Sequence, residues 1–171
     1  MTDKAAETEF LHLLQEHQGL LHKVCRVYAT REAEKEDLFQ EMVVQLWKAY
    51  GSFRGEAKFS TWMYRIALNT AISAIRKKDS RVQLSFPEFV PRDLADEKHD
   101  ELAEERRSNL YRAIGQLTEL EKAIVMLYLE DKSYDEMQDI LGINSGNLRV
   151  KMTRIKDKLR QLTNAVPYGT R

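Results

Sequence analysis

Several scarcities constrain the 171-residue chain before any motif is read. It has a single cysteine, Cys25, so an intramolecular disulfide is impossible and a zinc site would lack a second thiolate. A reducing compartment, the cytoplasm, is the expected home. Only 7 glycines and 3 prolines are present, too few for the turns of a many-stranded sheet. No run approaches the roughly 18 apolar residues of a membrane span, and Met1-Thr2-Asp3-Lys4 opens on charge with no apolar stretch behind it. Neither membrane insertion nor export by a signal peptide is expected. Net charge is missing too, because 27 Lys plus Arg balance 27 Asp plus Glu.

That balance conceals opposed blocks. Residues 51–82 carry net +5 and residues 142–171 net +6, while residues 1–50 carry −3 and the stretches 83–109 and 110–141 carry −4 each. Two cationic blocks among acidic ones suit a chain that avoids general stickiness to polyanions yet touches nucleic acid at two chosen places. Solvated helix faces produce charge blocks as well, and charge by itself leaves both readings open.

Apolar residues recur at helical spacing over long stretches, which predicts an all-α fold. Residues 81–104 are acidic, contain Pro87 and Pro91, and lack a sustained apolar stripe until their end. They read as a flexible linker between two small helical domains, residues 1–80 and 105–171. Each domain is close to the lower size limit for a self-sufficient core.

Helix ends are well marked in the second domain. Thr118 with Glu121 and Ser133 with Glu136 fit the capping box, in which hydroxyl and carboxylate satisfy otherwise orphan amides. Gly142 should close a short helix, and Asn144 should cap the next, running to about Leu162. On that last helix Leu148, Met152, Ile155, Leu159 and Leu162 form an apolar stripe, with Asn147, Lys151, Arg154, Lys158 and Gln161 expected on the opposite side. Helix, glycine turn and longer basic helix make the helix-turn-helix plan, whose second helix enters the major groove. Asn147 and Arg149 lie nearest the helix start, where free amides attract phosphate and amide or guanidinium groups reach base edges. An ordinary helical hairpin with a solvated basic face is the alternative.

In the first domain one helix should run from Phe59 to about Lys78, with Tyr64, Leu68, Ala71 and Ile75 on its apolar side. Trp62, Arg65, Asn69, Ser73 and Arg76 share the other side, so an indole sits beside two guanidiniums and an amide. Aromatic platforms in a positive groove hold unpaired strands, each stack being worth roughly 1 to 3 kcal/mol. The loop ahead adds Phe53, Arg54 and Lys58. Packing of Trp62 under the first helices is the other possibility. Upstream, Asp37-Leu38-Phe39-Gln40-Glu41 opens a helix that should turn Leu38, Met42, Leu46 and Ala49 inward, with Phe39 and Val43 alongside. Asp37, Gln40, Glu41 and Lys48 stay outside, an acidic patch suited to a protein partner or simply to water. His12, His17 and His22 are spaced by five and diverge around a helix, so no metal site is supported. No cofactor and no catalytic cluster of acid, base and nucleophile are expected, and the chain does not read as an enzyme.

These pieces, in this order, resemble a bacterial RNA polymerase sigma factor, and the two-domain length resembles the extracytoplasmic-function (ECF) group. The likeness covers nearly the whole chain. It implies that Asp37, Gln40 and Glu41 bind core polymerase at the clamp helices of its largest subunit. It implies that Lys58-Phe59-Ser60-Thr61-Trp62, followed by Tyr64-Arg65-Ile66-Ala67 and Asn69, recognises and melts the minus-ten promoter element, with Arg54 and Arg76 contributing. By the same resemblance, Ser133-Tyr134-Asp135-Glu136 through Leu141-Gly142-Ile143 and the basic helix read the minus-thirty-five element, through Ser145, Asn147, Arg149, Lys151, Arg154 and Lys158. Core RNA polymerase, promoter DNA and an anti-sigma factor are the implied partners. The sequence departs from the family pattern in three places. Gln138 stands where a small residue is usual, Asn147-Leu148-Arg149 replaces a common Thr-Val-Lys, and Trp62-Met63 replaces the paired aromatics of primary sigma factors. A free-standing helix-turn-helix regulator and a protein-binding helical adaptor are the rival readings.

Overall fold

Periodicity of 3.6 dominates wherever the chain is described. The structure is a computed structural model and describes residues 2–79 and 101–164, among which every regular element is an α-helix. The chain divides into two compact units, Met1–Leu84 and Ser85–Arg171. Most of the segment expected as a linker, Pro87 and Pro91 included, lies outside the described residues. Its last four residues, 101–104, belong instead to a helix that begins at Glu101.

The first unit is three helices, α1 (Thr2–Tyr28), α2 (Glu32–Tyr50) and α3 (Phe59–Asp79), each packed on the other two. Leu21 and Val24 of α1, Met42 and Leu46 of α2, and Met63 and Leu68 of α3 are all but completely buried. Each such side chain contributes roughly 1.5 to 3 kcal/mol relative to exposure. The inward set expected on α2 is observed at Leu38, Met42 and Leu46, with Phe39, Val43 and Ala49 half-buried. A cross-element ion pair, Lys78 Nζ to Glu34 Oε1 at 2.9 Å, ties the end of α3 to the start of α2. Cys25 is buried in this core, and burial pushes its thiol up to about 11 against the opposing pull of Lys35.

The second unit contains α4 (Glu101–Gly115), α5 (Glu119–Leu129), α6 (Tyr134–Leu141) and α7 (Ser145–Asn164). The last of these packs on all three others and is the spine of the unit. Its stripe is core, with Leu148, Met152 and Ile155 buried and Leu159 and Leu162 half-buried. Both capping boxes form. Thr118 Oγ1 accepts from the Glu121 amide while Glu121 Oε2 accepts from the Thr118 amide, and Ser133 and Glu136 repeat the exchange. Gly142 ends α6 in the left-handed conformation, φ 70°, and donates its N–H to the Gln138 carbonyl at 2.8 Å. Among the described residues no buried side-chain polar atom lacks a hydrogen-bond partner, and no helix is long and apolar enough to cross a membrane.

Candidate nucleic-acid interfaces

Helix α3 presents the expected outer face. Arg65, Asn69, Ser73 and Arg76 are exposed and Trp62 is half-buried, while Met63, Tyr64, Ala67, Leu68 and Ala71 are buried on the other side. The indole stands on a bed of rings. Phe53 lies 5.0 Å from it, Phe59 5.4 Å and Tyr50 6.4 Å between centroids. Trp62 is therefore held by its neighbours and still partly open to the outside, so packing and presentation are combined in one side chain. The adjoining loop leaves Arg54 and Lys58 exposed and Ser60 half-buried.

Phe59, expected as a nucleic-acid contact, lies on the inner side. It is buried, with the His17 ring at 5.5 Å on one side and Phe53 at 5.5 Å on another. Its ring props Trp62 from within and is not offered outward. The histidines have comparable duties, since His17 packs on Phe59, His22 stacks on Phe39 at 4.7 Å, and His12 lies 3.7 Å from Glu16.

On α2, Asp37, Gln40 and Glu41 are exposed, and Glu41 accepts a hydrogen bond from Gln45 at 2.7 Å. Val44 and Trp47 continue the same stripe at helical spacing and are 44% and 40% exposed. The outer face of α2 is thus acidic at its start and apolar further along. Reading charge alone missed these two residues, although their positions seven and ten after Asp37 carried the signal. Trp47 leans on Phe10 at 5.1 Å and on Tyr50 at 6.3 Å, which links it through Phe53 to the rings beneath Trp62.

In the second unit the α6–turn–α7 segment is a helix-turn-helix. Asn144 caps α7 as expected, its Oδ1 accepting from the Gly146 amide at 2.8 Å. Gln138 adds a second cap from α6, its Oε1 accepting from the Ser145 amide at 2.9 Å. The Gln138 side chain thereby satisfies a donor at the helix start that has no intrahelical partner. Asn147, Arg149, Lys151 and Arg154 are exposed and Ser145 is half-buried.

Residues 13–81 match the family model for sigma-70 region 2, and residues 107–159 match the one for sigma-70 region 4. This chain belongs to the sigma-70 family. The RNA polymerase sigma-H factor of Pseudomonas aeruginosa is 29% identical over 162 residues, covering 88% of this chain and 83% of that protein. The ECF RNA polymerase sigma-E factor of Escherichia coli (strain K12) is 29% identical over 134 residues, covering 72% of this chain and 70% of that one. Two solved structures share the fold. The sigma factor RpoE, in complex with the anti-sigma factor NepR from Bartonella quintana, superposes with a TM-score of 0.71 at 18% identity over 92% of this chain and 98% of that one. CnrH, in complex with the cytosolic domain of CnrY, gives 0.67 at 20% identity over 95% and 94%. The chain is an ECF-type sigma factor, a non-enzymatic subunit that directs core RNA polymerase to promoters.

One residue expected on the DNA-facing side of this sigma factor has a partner within its own unit. Lys158 Nζ lies 3.0 Å from Glu121 Oε2 and closes a contact between α7 and the capping box of α5. At about 100° per residue Lys158 lies roughly 80° from the middle of the buried stripe, close enough to reach a neighbouring helix. The far side of α7 is instead occupied by Val150, 52% exposed between Arg149 and Lys151. The ion pair also explains the acidity of Glu121. Burial acts to raise its pKa, but the Thr118 amide and the Lys158 ammonium outweigh it, and the net shift is downward.

Proposed function

We propose the following division of labour within this sigma factor, which works in the cytoplasm. The α2 stripe of Asp37, Gln40 and Glu41, lengthened by Val44 and Trp47, docks on the clamp helices of the largest polymerase subunit. Carboxylates steer the approach and set register, while the apolar end supplies area that can be desolvated. Arg54, Lys58, Ser60, Trp62, Arg65, Asn69 and Arg76 engage the minus-ten element. Extruding a base costs a few kcal/mol, and stacking on a pre-supported indole recovers roughly 1 to 3 kcal/mol. Since Trp62 is already braced by Phe53 and Phe59, little ordering entropy is spent when a base arrives. Helix α7 reads the minus-thirty-five element with Ser145, Asn147, Arg149, Lys151 and Arg154. Anti-sigma control of this chain is supported by the solved complexes of RpoE with NepR and CnrH with CnrY.

The observation that carries the reading is the coincidence of family regions with exposed cationic helices. Region 2 spans the α3 face and region 4 covers α7 as far as Leu159. Run-off transcription with bacterial core polymerase and a genomic fragment library tests it. Initiation at defined sites that requires this chain is the expected result, with Trp62→Ala lowering open-complex formation about tenfold or more while leaving closed binding of the duplex nearly intact. Site-specific duplex binding by the chain alone, unaffected by core enzyme, would identify a free-standing regulator instead.

A further inference from the structure

Tyr134 and Gln138 lie one helical turn apart on α6, and each reaches a residue of α7 that is likewise one turn from the other. Gln138 caps the Ser145 amide at 2.9 Å. The Arg149 guanidinium carbon lies 4.8 Å from the centroid of the Tyr134 ring. These two rungs fix the first turns of α7 against α6 at both backbone and side-chain level. Tyr134 is half-buried at the first position of α6, directly after the Ser133 capping box, so its own backbone is anchored.

The cations of α7 differ in this respect. Lys158 is bound to Glu121, and Lys156 lies over the Tyr128 ring at 4.6 Å with its ammonium 3.1 Å from the phenol oxygen. Lys151 and Arg154 are exposed and make no ion pair or ring contact within the described residues. Arg149 alone combines an exposed position near the start of the helix with an aromatic ring beneath its guanidinium carbon. A free arginine on a helix surface samples many rotamers, which suits a phosphate contact that any nearby oxygen satisfies. Reading a base edge bidentately requires one orientation of the planar fork, and a ring stacked on one face restricts the orientation without consuming the N–H groups at the edge.

We propose that Tyr134 is a positioning residue that holds Arg149 for bidentate recognition of a guanine in the upstream promoter element. The pairing of two guanidinium N–H groups with the O6 and N7 of guanine is the commonest specific contact in the major groove. Lys151 and Arg154 serve the phosphate backbone, and Arg149 supplies base identity. This rests on the reading that α7 lies in the upstream major groove.

The test uses the full-length chain reconstituted with core polymerase and a duplex library randomised across the upstream element. Base preference at every position is read by sequencing of bound DNA. Wild type is expected to prefer guanine at one position, and Arg149→Ala to erase that preference, a loss of about tenfold or more. Tyr134→Leu should weaken the same preference about two- to fivefold and leave the other positions and the salt dependence of binding unchanged, whereas Tyr134→Phe keeps the ring and the preference. A merely structural tyrosine would lower binding to all sequences alike. Guanine preference that survives Arg149→Ala, or that Tyr134→Leu leaves untouched, overturns the proposal. A wild-type holoenzyme with no upstream preference at all overturns the placement of α7 as well.

Discussion

Arg154 and Lys158 lie on the same flank of α7, four residues apart, and are assigned opposite duties by their surroundings. Arg154 is exposed and unpaired among the described residues, so on a promoter it should neutralise one phosphate and displace its condensed counterion. Removing one such contact flattens the plot of log affinity against log salt by about 0.9. Across a fourfold rise in salt, from roughly 50 to roughly 200 mM, the wild type would then lose about 3.5-fold more affinity than Arg154→Ala. Lys158 is already 3.0 Å from Glu121, with side-chain exposures of 42% and 28%. Lys158→Ala should leave the salt slope where it is and cost the second unit about 0.5 kcal/mol, a value already reduced for solvent screening. For a unit of this size that corresponds to a fall of about 2 to 4 °C in its thermal midpoint. Fluorescence anisotropy of a labelled promoter duplex, titrated with holoenzyme at several salt concentrations, measures the slope. If Lys158→Ala flattens it as much as Arg154→Ala does, the ion pair opens on DNA and the assignment of Lys158 to internal support is wrong.

Three further outcomes follow from the structure. Cys25 is buried with its thiol pushed up to about 11, so at neutral pH it should react with a thiol reagent only when the first unit opens; labelling in native buffer as fast as in denaturant would contradict its placement. Glu34 ionises more readily than usual, chiefly through its hydrogen bond from Lys78, and Glu121 does so despite its burial. The unfolded chain, with carboxyls near their ordinary 4.5, therefore takes up these protons first as pH falls. Their stabilisation should be whole above that pH and should disappear as pH falls through the lower folded values, a trend that denaturant melts at stepped pH would show. Gly142→Ala should cost about 1 kcal/mol from backbone strain at positive φ, because an added Cβ would meet no atom within 4 Å. A neutral result in urea unfolding would remove the left-handed turn from the list of features that hold α6 and α7 in place.

What the sequence made legible was local. The capping boxes at Thr118 and Ser133, the stop at Gly142, the cap at Asn144 and the buried stripe of α7 each depend on residues within a few positions of one another, where spacing and side-chain chemistry suffice. The outer face of α3 was legible for the same reason. Lys158 was not, because its partner is 37 residues away and no periodicity announces a lateral ion pair. The burial of Phe59 was not legible, since an aromatic beside a cationic loop looks the same in sequence whether its ring is buried or offered outward. Only the packing of His17, Phe53 and Trp62 around it decides the matter. Val44 and Trp47 were overlooked through attention to charge, although they continue the Asp37 and Glu41 stripe. The use of Gln138 as a cap needed the geometry of the turn that brings it to Ser145.

The chain has 2 tryptophans, Trp47 and Trp62, and both stand in one succession of rings with Tyr50 between them. Selectively excited indole emission therefore originates entirely within the first unit. Excitation of the Tyr50 phenol will drain toward the two indoles, so any change in the light from Trp62 when a base stacks on it would be superimposed on a steady contribution from Trp47. A Trp47→Phe variant leaves Trp62 as the one indole of this chain, so its emission on adding a single-stranded minus-ten oligonucleotide would report base stacking with no dye attached.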